Sequence, residues 1–368
     1  MALLNSGTGN YIVSNGKKYL YFAGNNYLGL ANHPDIKEAA IQSIMKYGTN
    51  FSASRQTTGT ADIHLELERN LAAFKEEQDA VIFASGYLGN RILLDILKGR
   101  YSSVFIDEMA HPSIVDSIPR DITAIRYYKH CAPDHLEEML NDLGSTTPLI
   151  ITDGVFALTG EIAPLDKIYP LVEKYNGILI VDDAHSTGIL GETGKGTPEH
   201  FRLPHTGNIF QSETMSKALG SYGGFITGSN VLTSSIRGNS AIYQASTALP
   251  PPLVVAGLAS LKIIQSNPEI RVSLLKNARS LRQEINNLGY QTTQVATPII
   301  PIMLNSIKKA RDLSAFLERN EVIVPFMNYP VRQTKYLLRI GVSASHTENQ
   351  IELLVRLLNK WKDKYGTD

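Results

Sequence analysis

The chain has a single cysteine, Cys131, no long uncharged apolar run, and no surplus of charge of either sign. Each scarcity removes a class of protein. One thiol cannot close an intrachain disulfide or supply a cysteine-based zinc cluster, and it fits a reducing compartment. Nowhere do about 18 uncharged apolar residues run together, so no membrane-spanning helix is expected. The N-terminal twenty residues show no basic region leading into an apolar stretch, so no signal peptide is expected and the cytoplasm is the expected location. Lys plus Arg and Asp plus Glu both total 35. No net field therefore draws the chain to nucleic acid or a membrane surface, and an anionic ligand needs a local site.

What is present is an ordinary globular composition, 43% hydrophobic and 19% charged. A length of 368 residues is too great for one small core and implies a large domain with a smaller one attached. Short β-branched runs alternate with segments of helical period. Strands are expected at 80–84, 103–106, 122–127, 149–152 and 178–181, and helices at 88–97, 133–143 and 164–175. This rhythm predicts an α/β domain whose mainly parallel sheet lies between helices. A proline run, Pro250 to Pro252, opens a long apolar helix over 253–264. After a helix over 269–288, the tail reads strand 299–304, helix 308–319, strand 336–342 and helix 348–362, a smaller α+β lobe. The expected division is an N-terminal segment over 1–47, a large domain over 48–267 and a C-terminal domain over 268–368. In such sheets ligands gather at the carboxyl edge, and Asp107, Asp153 and Asp182 each follow an apolar strand directly.

Chemistry concentrates around Lys217. It lies in Glu213-Thr214-Met215-Ser216-Lys217-Ala218-Leu219-Gly220, ahead of Gly223 and Gly224, in a cramped setting quite unlike a solvated surface lysine. Upstream, the strand Ile178 to Val181 runs into Asp182-Asp183-Ala184-His185. A confined lysine with an acid at a strand end is what Schiff-base chemistry on a pyridine cofactor needs: the lysine supplies the imine nitrogen, and the carboxylate keeps a ring nitrogen protonated. Burial and a cationic cofactor would lower the lysine's pKa and leave a free amine able to act as base. The acid pair has other readings, as a helix cap or as metal ligands. In the cofactor reading Asp182 pairs with the ring nitrogen and His185 with a phenolic oxygen, while Gly188 and Gly191 let the backbone pass close by. Ser85-Gly86-Tyr87 sits between a strand and a helix, where N–H groups and a hydroxyl suit a phosphate, or where Ser85 simply caps the helix. Thr214 is a second candidate phosphate donor. His111 stacks on a ring or lies on a surface loop. Arg339 interrupts an apolar strand, and so captures a substrate carboxylate or forms an internal salt bridge.

With these residues placed, the chain from about Tyr19 to Lys360 resembles the α-oxoamine synthase family of fold-type-I pyridoxal-phosphate enzymes. The matching segments are Asn25 to Leu30, Ser54 to Thr60, Ser85 to Tyr87, Asp107 to His111, Asp182 to Gly188, Thr214 to Gly220, Ser246 to Pro251, and Leu338-Arg339 followed by Ser343 to Thr347. The resemblance implies that Lys217 carries the covalent cofactor link and acts as proton-transfer base, that His111 stacks on the ring, and that Asp182 and His185 hold the ring nitrogen and phenolic oxygen. Gly86 and Tyr87 would meet pyridoxal 5'-phosphate through backbone atoms and Thr214 through its hydroxyl. Asn25 and Arg339 would orient the amino-acid carboxylate, with His111 also facing the substrate. Ser246 or Thr247 would reach a neighbour's phosphate across a homodimer interface.

The implied reaction condenses a small amino acid with an acyl thioester of coenzyme A or a carrier protein, losing carbon dioxide and the thiol. Within the family the segments are most similar to the biotin-pathway branch using L-alanine and a pimeloyl thioester. Glycine with an acetyl thioester and serine with a palmitoyl thioester come next. An aminotransferase or lyase of the same fold would share Lys217 and Asp182, and a cofactor-binding protein without turnover is a further alternative. Three features depart from the family pattern, one being a shorter N-terminus together with a turn before Arg339 that lacks the usual Pro/Gly pair. Ala157 stands where a Ser usually sits near the phenolic oxygen, which removes a hydrogen bond worth about 1 kcal/mol. Phe51, within Asn50-Phe51-Ser52-Ala53, replaces part of a Gly-rich stretch and is expected to reshape the acyl channel.

Overall fold

The computed structural model describes residues 3–143, 146–204, 207–327 and 336–366. The chain divides into two compact units. The smaller comprises Met1–His33, Ala157–Glu161 and Asn267–Asp368, and the larger Pro34–Phe156 and Ile162–Ser266. The helix Pro34–Tyr47, grouped by sequence with the N-terminal segment, packs on the helix Pro251–Ser266 and so lies in the larger unit.

In chain order the strands begin in the smaller unit with β1 (Tyr11–Ser14) and β2 (Lys17–Tyr21), an antiparallel hairpin. The larger unit holds β3 (Asp79–Phe83), β4 (Ser103–Asp107), β5 (Ile125–Tyr128), β6 (Pro148–Asp153), β7 (Ile178–Asp182), β8 (Ile209–Thr214) and β9 (Gly224–Gly228). The smaller unit resumes with β10 (Ile299–Leu304), β11 (Val322–Ile323), β12 (Phe326–Met327) and β13 (Tyr336–Gly341). There β11 pairs parallel with β2, and β10, β13 and β12 form an antiparallel sheet in that order.

The large sheet has the order β3-β9-β8-β7-β6-β4-β5. From β5 to β8 every pairing is parallel, while β9 runs antiparallel to both β8 and β3. The sheet is therefore mainly parallel, as expected. The sequence reading had no strand at β8, and it did not foresee that β9 reverses direction.

Two cores explain why β4, β6 and β7 are apolar except toward their ends. Val104, Ile106, Leu149, Ile151, Ile178 and Ile180 pack with the helices Gly89–Ile96 and Asn230–Asn239. The intervening Phe105, Ile150, Leu179 and Val181 pack with the helices Pro133–Asn141 and Leu165–Lys174. Side chains alternate across a strand, so helices on both faces demand apolar residues at every position. Parity then sorts the three edge acids. Asp153 and Asp182 fall on the face of Ile151 and Ile180, and are direct partners in the β6–β7 register. Asp107 falls on the face of Phe105.

One buried ion pair ties the helix Asp62–Lys75 to β8. Lys75 donates to Glu213 Oε1 at 2.6 Å, with both side chains almost fully enclosed. Burial pushes the Glu213 carboxyl above its ordinary range, an effect opposed by Lys75. Lys75→Met removes the partner of an enclosed acid, and should cost about 3–5 kcal/mol in urea unfolding. Adding Glu213→Gln to that variant should recover part of the loss; a single variant as stable as the parent would contradict this account.

Candidate active site

Lys217 sits in the loop joining β8 to β9. The hairpin is closed by the Thr214–Gly224 pair, by Met215 N–H to Gly223 O at 2.9 Å, and by Gly220 N–H to Lys217 O at 3.1 Å. Gly220 (φ +61°) and Gly223 (φ +102°) take left-handed backbone that a side chain would strain. The glycine run thus folds the loop back on itself and holds the lysine at the carboxyl edge of the parallel strands.

Beside it, three segments approach at backbone distance. A Cβ on Gly86 would lie 2.6 Å from Thr214 Cβ, and one on Gly224 would lie 2.9 Å from Gly86 N. Ser85 does cap the turn that follows, its Oγ accepting from Tyr87 N at 3.3 Å; that leaves its O–H as a donor. Thr214 donates to Gly223 O at 3.0 Å, and its oxygen lies 2.8 Å from Ser216 Oγ. Ser216, not singled out by sequence, is exposed next to Lys217 and adds a hydroxyl to those of Ser85 and Thr214. The Tyr87 hydroxyl reaches Asp116, and its ring stands edge-on to His111.

A polar chain runs below this cradle. Asp182 Oδ2 accepts from Asn90 Nδ2 at 2.7 Å, and Oδ1 accepts from Ala184 N at 3.1 Å. Asn90 lies 3.4 Å from Ser113 Oγ, which is 2.8 Å from His111 Nδ1. Ser113 N–H also donates to that nitrogen, which leaves the His111 proton on Nε2. Burial lowers the His111 pKa. The Lys217 charge acts in the same direction while Asp182 opposes it, so the ring is neutral at pH 7. His111 N–H donates to Asp153 Oδ2 at 2.9 Å. Burial, then the charge of Asp182, pushes the Asp153 carboxyl well above its ordinary pKa and so favours its neutral form. Lys217 acts electrostatically on both His111 and Asp153. The structure thus gathers Lys217, His111, Asp153 and Asp182 into one neighbourhood. Asn90, Ser113 and Asp153 were not assigned roles from sequence; Asp153 was noted only as an edge acid.

The adjacent acids do not form a metal pair. Asp182 serves Asn90, whereas Asp183 accepts from Thr197 N at 2.9 Å, Thr197 Oγ1 at 2.6 Å and Gln211 Nε2 at 2.5 Å. His185 is buried in the turn that follows, where Ser186 and Thr187 N–H donate to Asp183 O. At Gly191 the close backbone pass is to the Glu199 carboxylate, which a Cβ there would meet. Asp107 takes Met109 N–H, Cys131 N–H and His130 Nδ1, each at 2.9 Å, and stabilises that turn on the other face. Ser246 and Thr247 follow the helix Ala241–Ala245, where Thr247 bridges Ser54 and Ala248 N–H donates to Ala53 O at 2.9 Å. Phe51 packs its ring near Tyr47 and His64, and Ser52 takes φ +55°.

In the smaller unit, buried Arg339 donates from Nη2 to Asn25 Oδ1 at 2.9 Å and to the Tyr27 hydroxyl at 3.1 Å, and from Nε to Ala157 O at 2.5 Å. Every partner is neutral, and among the described residues no carboxylate lies within 4 Å of it. The internal salt bridge considered from sequence is not what holds it. Burial raises the Tyr27 pKa, so its hydroxyl stays neutral and accepts from the guanidinium.

These groups fit pyridoxal phosphate. The Gly86–Thr214 approach leaves a backbone cradle edged with hydroxyls, and the enclosed Asp182 carboxylate, the neutral imidazole and Lys217 match the needs of its ring. The family model for class I and II aminotransferases matches residues 17–358. The 8-amino-7-oxononanoate synthase of Lysinibacillus sphaericus is 37% identical over 368 residues, covering 100% of this chain and 94% of that one. The chain is an α-oxoamine synthase. A serine palmitoyltransferase from S. paucimobilis, solved with bound PLP, superposes with a TM-score of 0.94 at 26% identity, covering 100% of this chain and 94% of the other. An 8-amino-7-oxononanoate synthase from Francisella tularensis gives 0.80 at 28% identity, with 94% and 98% covered. This α-oxoamine synthase is accordingly a PLP-dependent acyltransferase of fold type I, and among its described residues no helix is long and apolar enough to cross a membrane.

Because burial favours the neutral form of Asp153, Asp153→Asn should keep an acceptor for His111 N–H and leave PLP retention on dialysis within about threefold of the parent. Asp182→Asn removes the charge and should lose most of the cofactor; equal retention by the two variants would refute the division of roles.

Proposed function

We propose that this enzyme condenses L-alanine with a pimeloyl thioester, forming a carbon–carbon bond from the amino acid's α-carbon to the thioester carbonyl carbon. The carbon–sulfur bond breaks to release the thiol, and the amino acid's carboxylate leaves as carbon dioxide. The observation carrying the amino-acid half is Arg339: a buried guanidinium held only by neutral acceptors has charge to offer an incoming carboxylate. The 37% identity along the whole chain to a synthase of that name supports the acyl half. The higher TM-score against serine palmitoyltransferase reports backbone likeness at lower identity, and fold does not select substrate.

When bound, pyridoxal phosphate supplies an electron sink for the substrate's α-carbon. The chain's residues do the rest. Asp182, oriented by Asn90, presents its charge to a proton on the pyridine nitrogen. His111, neutral and locked by Ser113, offers a flat face without adding charge, and His185 is assigned to the phenolic oxygen. Ser85, Gly86, Tyr87, Thr214 and Ser216 receive the phosphate. Lys217 holds the cofactor covalently and moves the proton at the substrate α-carbon. Asn25 and Arg339 orient the carboxylate. A fixed carboxylate sets which bond at the α-carbon can break, so Arg339 acts mainly through substrate positioning.

The same reading makes the working form a cytoplasmic homodimer. Thr247 is exposed in the single chain and pinned to Ser54, which fits a hydroxyl offered to a neighbour's phosphate. The holoenzyme should sediment as a dimer, and Thr247→Val should weaken PLP retention without altering its mass; a monomer of full activity would remove this element.

Purified holoenzyme given alanine, glycine or serine against acetyl, pimeloyl and palmitoyl thioesters should release free thiol fastest with alanine and pimeloyl. Arg339→Lys, which loses the planar fork, should raise the alanine KM by about tenfold or more. Thiol release with glycine and acetyl alone would move the assignment to that branch, and transamination without thiol release would overturn it.

A further inference from the structure

The Ala157 carbonyl that accepts from Arg339 Nε is itself a fixed object. It opens the five-residue segment Ala157–Glu161, the only part of the chain's middle that belongs to the smaller unit. Two threonines hold that segment. Thr293 Oγ1 donates to Thr159 O at 2.8 Å, and Thr297 Oγ1 donates to Gly160 O at 2.7 Å. Both side chains are buried. Gly160 has φ +69°, and a Cβ there would sit 2.7 Å from Thr297 Oγ1 and collide with Ile299 O, so the approach requires glycine.

Behind the threonines stands a second buried guanidinium. Arg282, on the helix Glu269–Asn287, donates from Nη1 and Nη2 to Thr297 O at 3.3 Å and from Nη2 to Ile299 O at 2.8 Å. Among the described residues it has no acidic partner within 4 Å, and burial lowers its pKa to about 10. A charged group enclosed at that cost and spent on two carbonyls holds those carbonyls in place. They belong to the stretch that carries Thr297 and enters β10, the strand whose Pro301 is the register partner of Arg339.

We infer that Thr297, with Thr293 and backed by Arg282, forms a positioning relay for Arg339: it fixes residues 159 and 160, hence the Ala157 carbonyl, hence the direction in which the guanidinium presents its fork to a carboxylate. This rests on Arg339 being the carboxylate receptor proposed above. None of the relay residues touches substrate in this account. They set an angle, and a misdirected guanidinium weakens carboxylate binding without affecting groups that do not carry one.

The test compares two ligands of the holoenzyme, alanine and ethylamine, which share an amine and differ in the carboxylate, with binding read from the change in cofactor absorbance. Thr297→Val should raise the alanine Kd and KM about tenfold while kcat at saturating alanine, the thioester KM and the ethylamine Kd stay within about twofold. Thr297→Ser restores the hydroxyl and should restore alanine affinity. Thr293→Val should show a smaller shift of the same kind, and it decides the matter if Thr297→Val does not fold. Equal weakening of alanine and ethylamine, or unchanged alanine affinity, would overturn the relay. Arg339→Lys in the same assay separates the two ideas: if it leaves alanine affinity untouched, the receptor assignment has failed, whereas weakened alanine binding in Arg339→Lys but not in the threonine variants defeats the relay alone.

Discussion

Two carboxyl groups on neighbouring parallel strands, enclosed on one face of the sheet, set the terms for the rest of the site. The β6–β7 register makes Asp153 and Asp182 partners. Desolvation and repulsion from Asp182 disfavour charge on Asp153. Asn90 and the Ala184 amide donate to Asp182, whereas Asp153 has the His111 amide and is pushed toward its neutral form by burial and by the charge of Asp182. A neutral acid can still accept that amide bond. It can therefore anchor His111 without adding a second negative charge beside Asp182.

The second constraint is closeness of approach. Thr214 shares the face of Phe210, and Gly89, Gly86 and Gly224 allow the helix Gly89–Ile96 and the β8–β9 hairpin to meet at backbone distance. The reversal of β9 follows the same logic. A parallel strand would need a long crossover after β8, whereas the antiparallel return needs only the short Gly-rich loop that carries Lys217. The lysine is thus presented from a hairpin tip whose geometry two left-handed glycines enforce.

Much of this was legible in sequence, for identifiable reasons. β4, β6 and β7 read clearly because burial on both faces makes them continuous apolar runs, and the strand-end acids stood out against them. β8 escaped because Gln211, Ser212, Glu213 and Thr214 are polar; Gln211 and Glu213 find their partners in Asp183 and Lys75, remote in sequence, and Thr214 finds its own across the hairpin. The β1–β2 hairpin turns at Asn15-Gly16, both at positive φ, a two-residue turn signal that the sequence carries openly. Lys217, Asp182 and His111 stand out in the sequence because their residue types are unusual at those places, and the structure brings them into one neighbourhood. Asn90 was not, since an asparagine in the first turn of a helix looks like any polar residue until the strand opposite it ends in a carboxylate. The separate fates of Asp107 and Asp153 followed from strand parity, which needed only the observation that the two positions differ in phase.

The smaller unit shows how the same group can serve two purposes. Arg282 and Arg339 are both buried, and among the described residues neither has an acid within 4 Å. A leucine or methionine would fill the volume of Arg282 at lower desolvation cost, but could not draw the carbonyls of Thr297 and Ile299 together. Those carbonyls lie where the chain enters β10, while Arg339 projects from the neighbouring β13, in contact with a side-chain amide, a phenol and two carbonyls. Arg282 spends its donors on backbone that cannot leave. Arg339 spends some of its donors on groups that orient it and carries a net charge that none of them cancels. The difference in partners, rather than in burial, separates a structural guanidinium from one that can still gain by binding an anion.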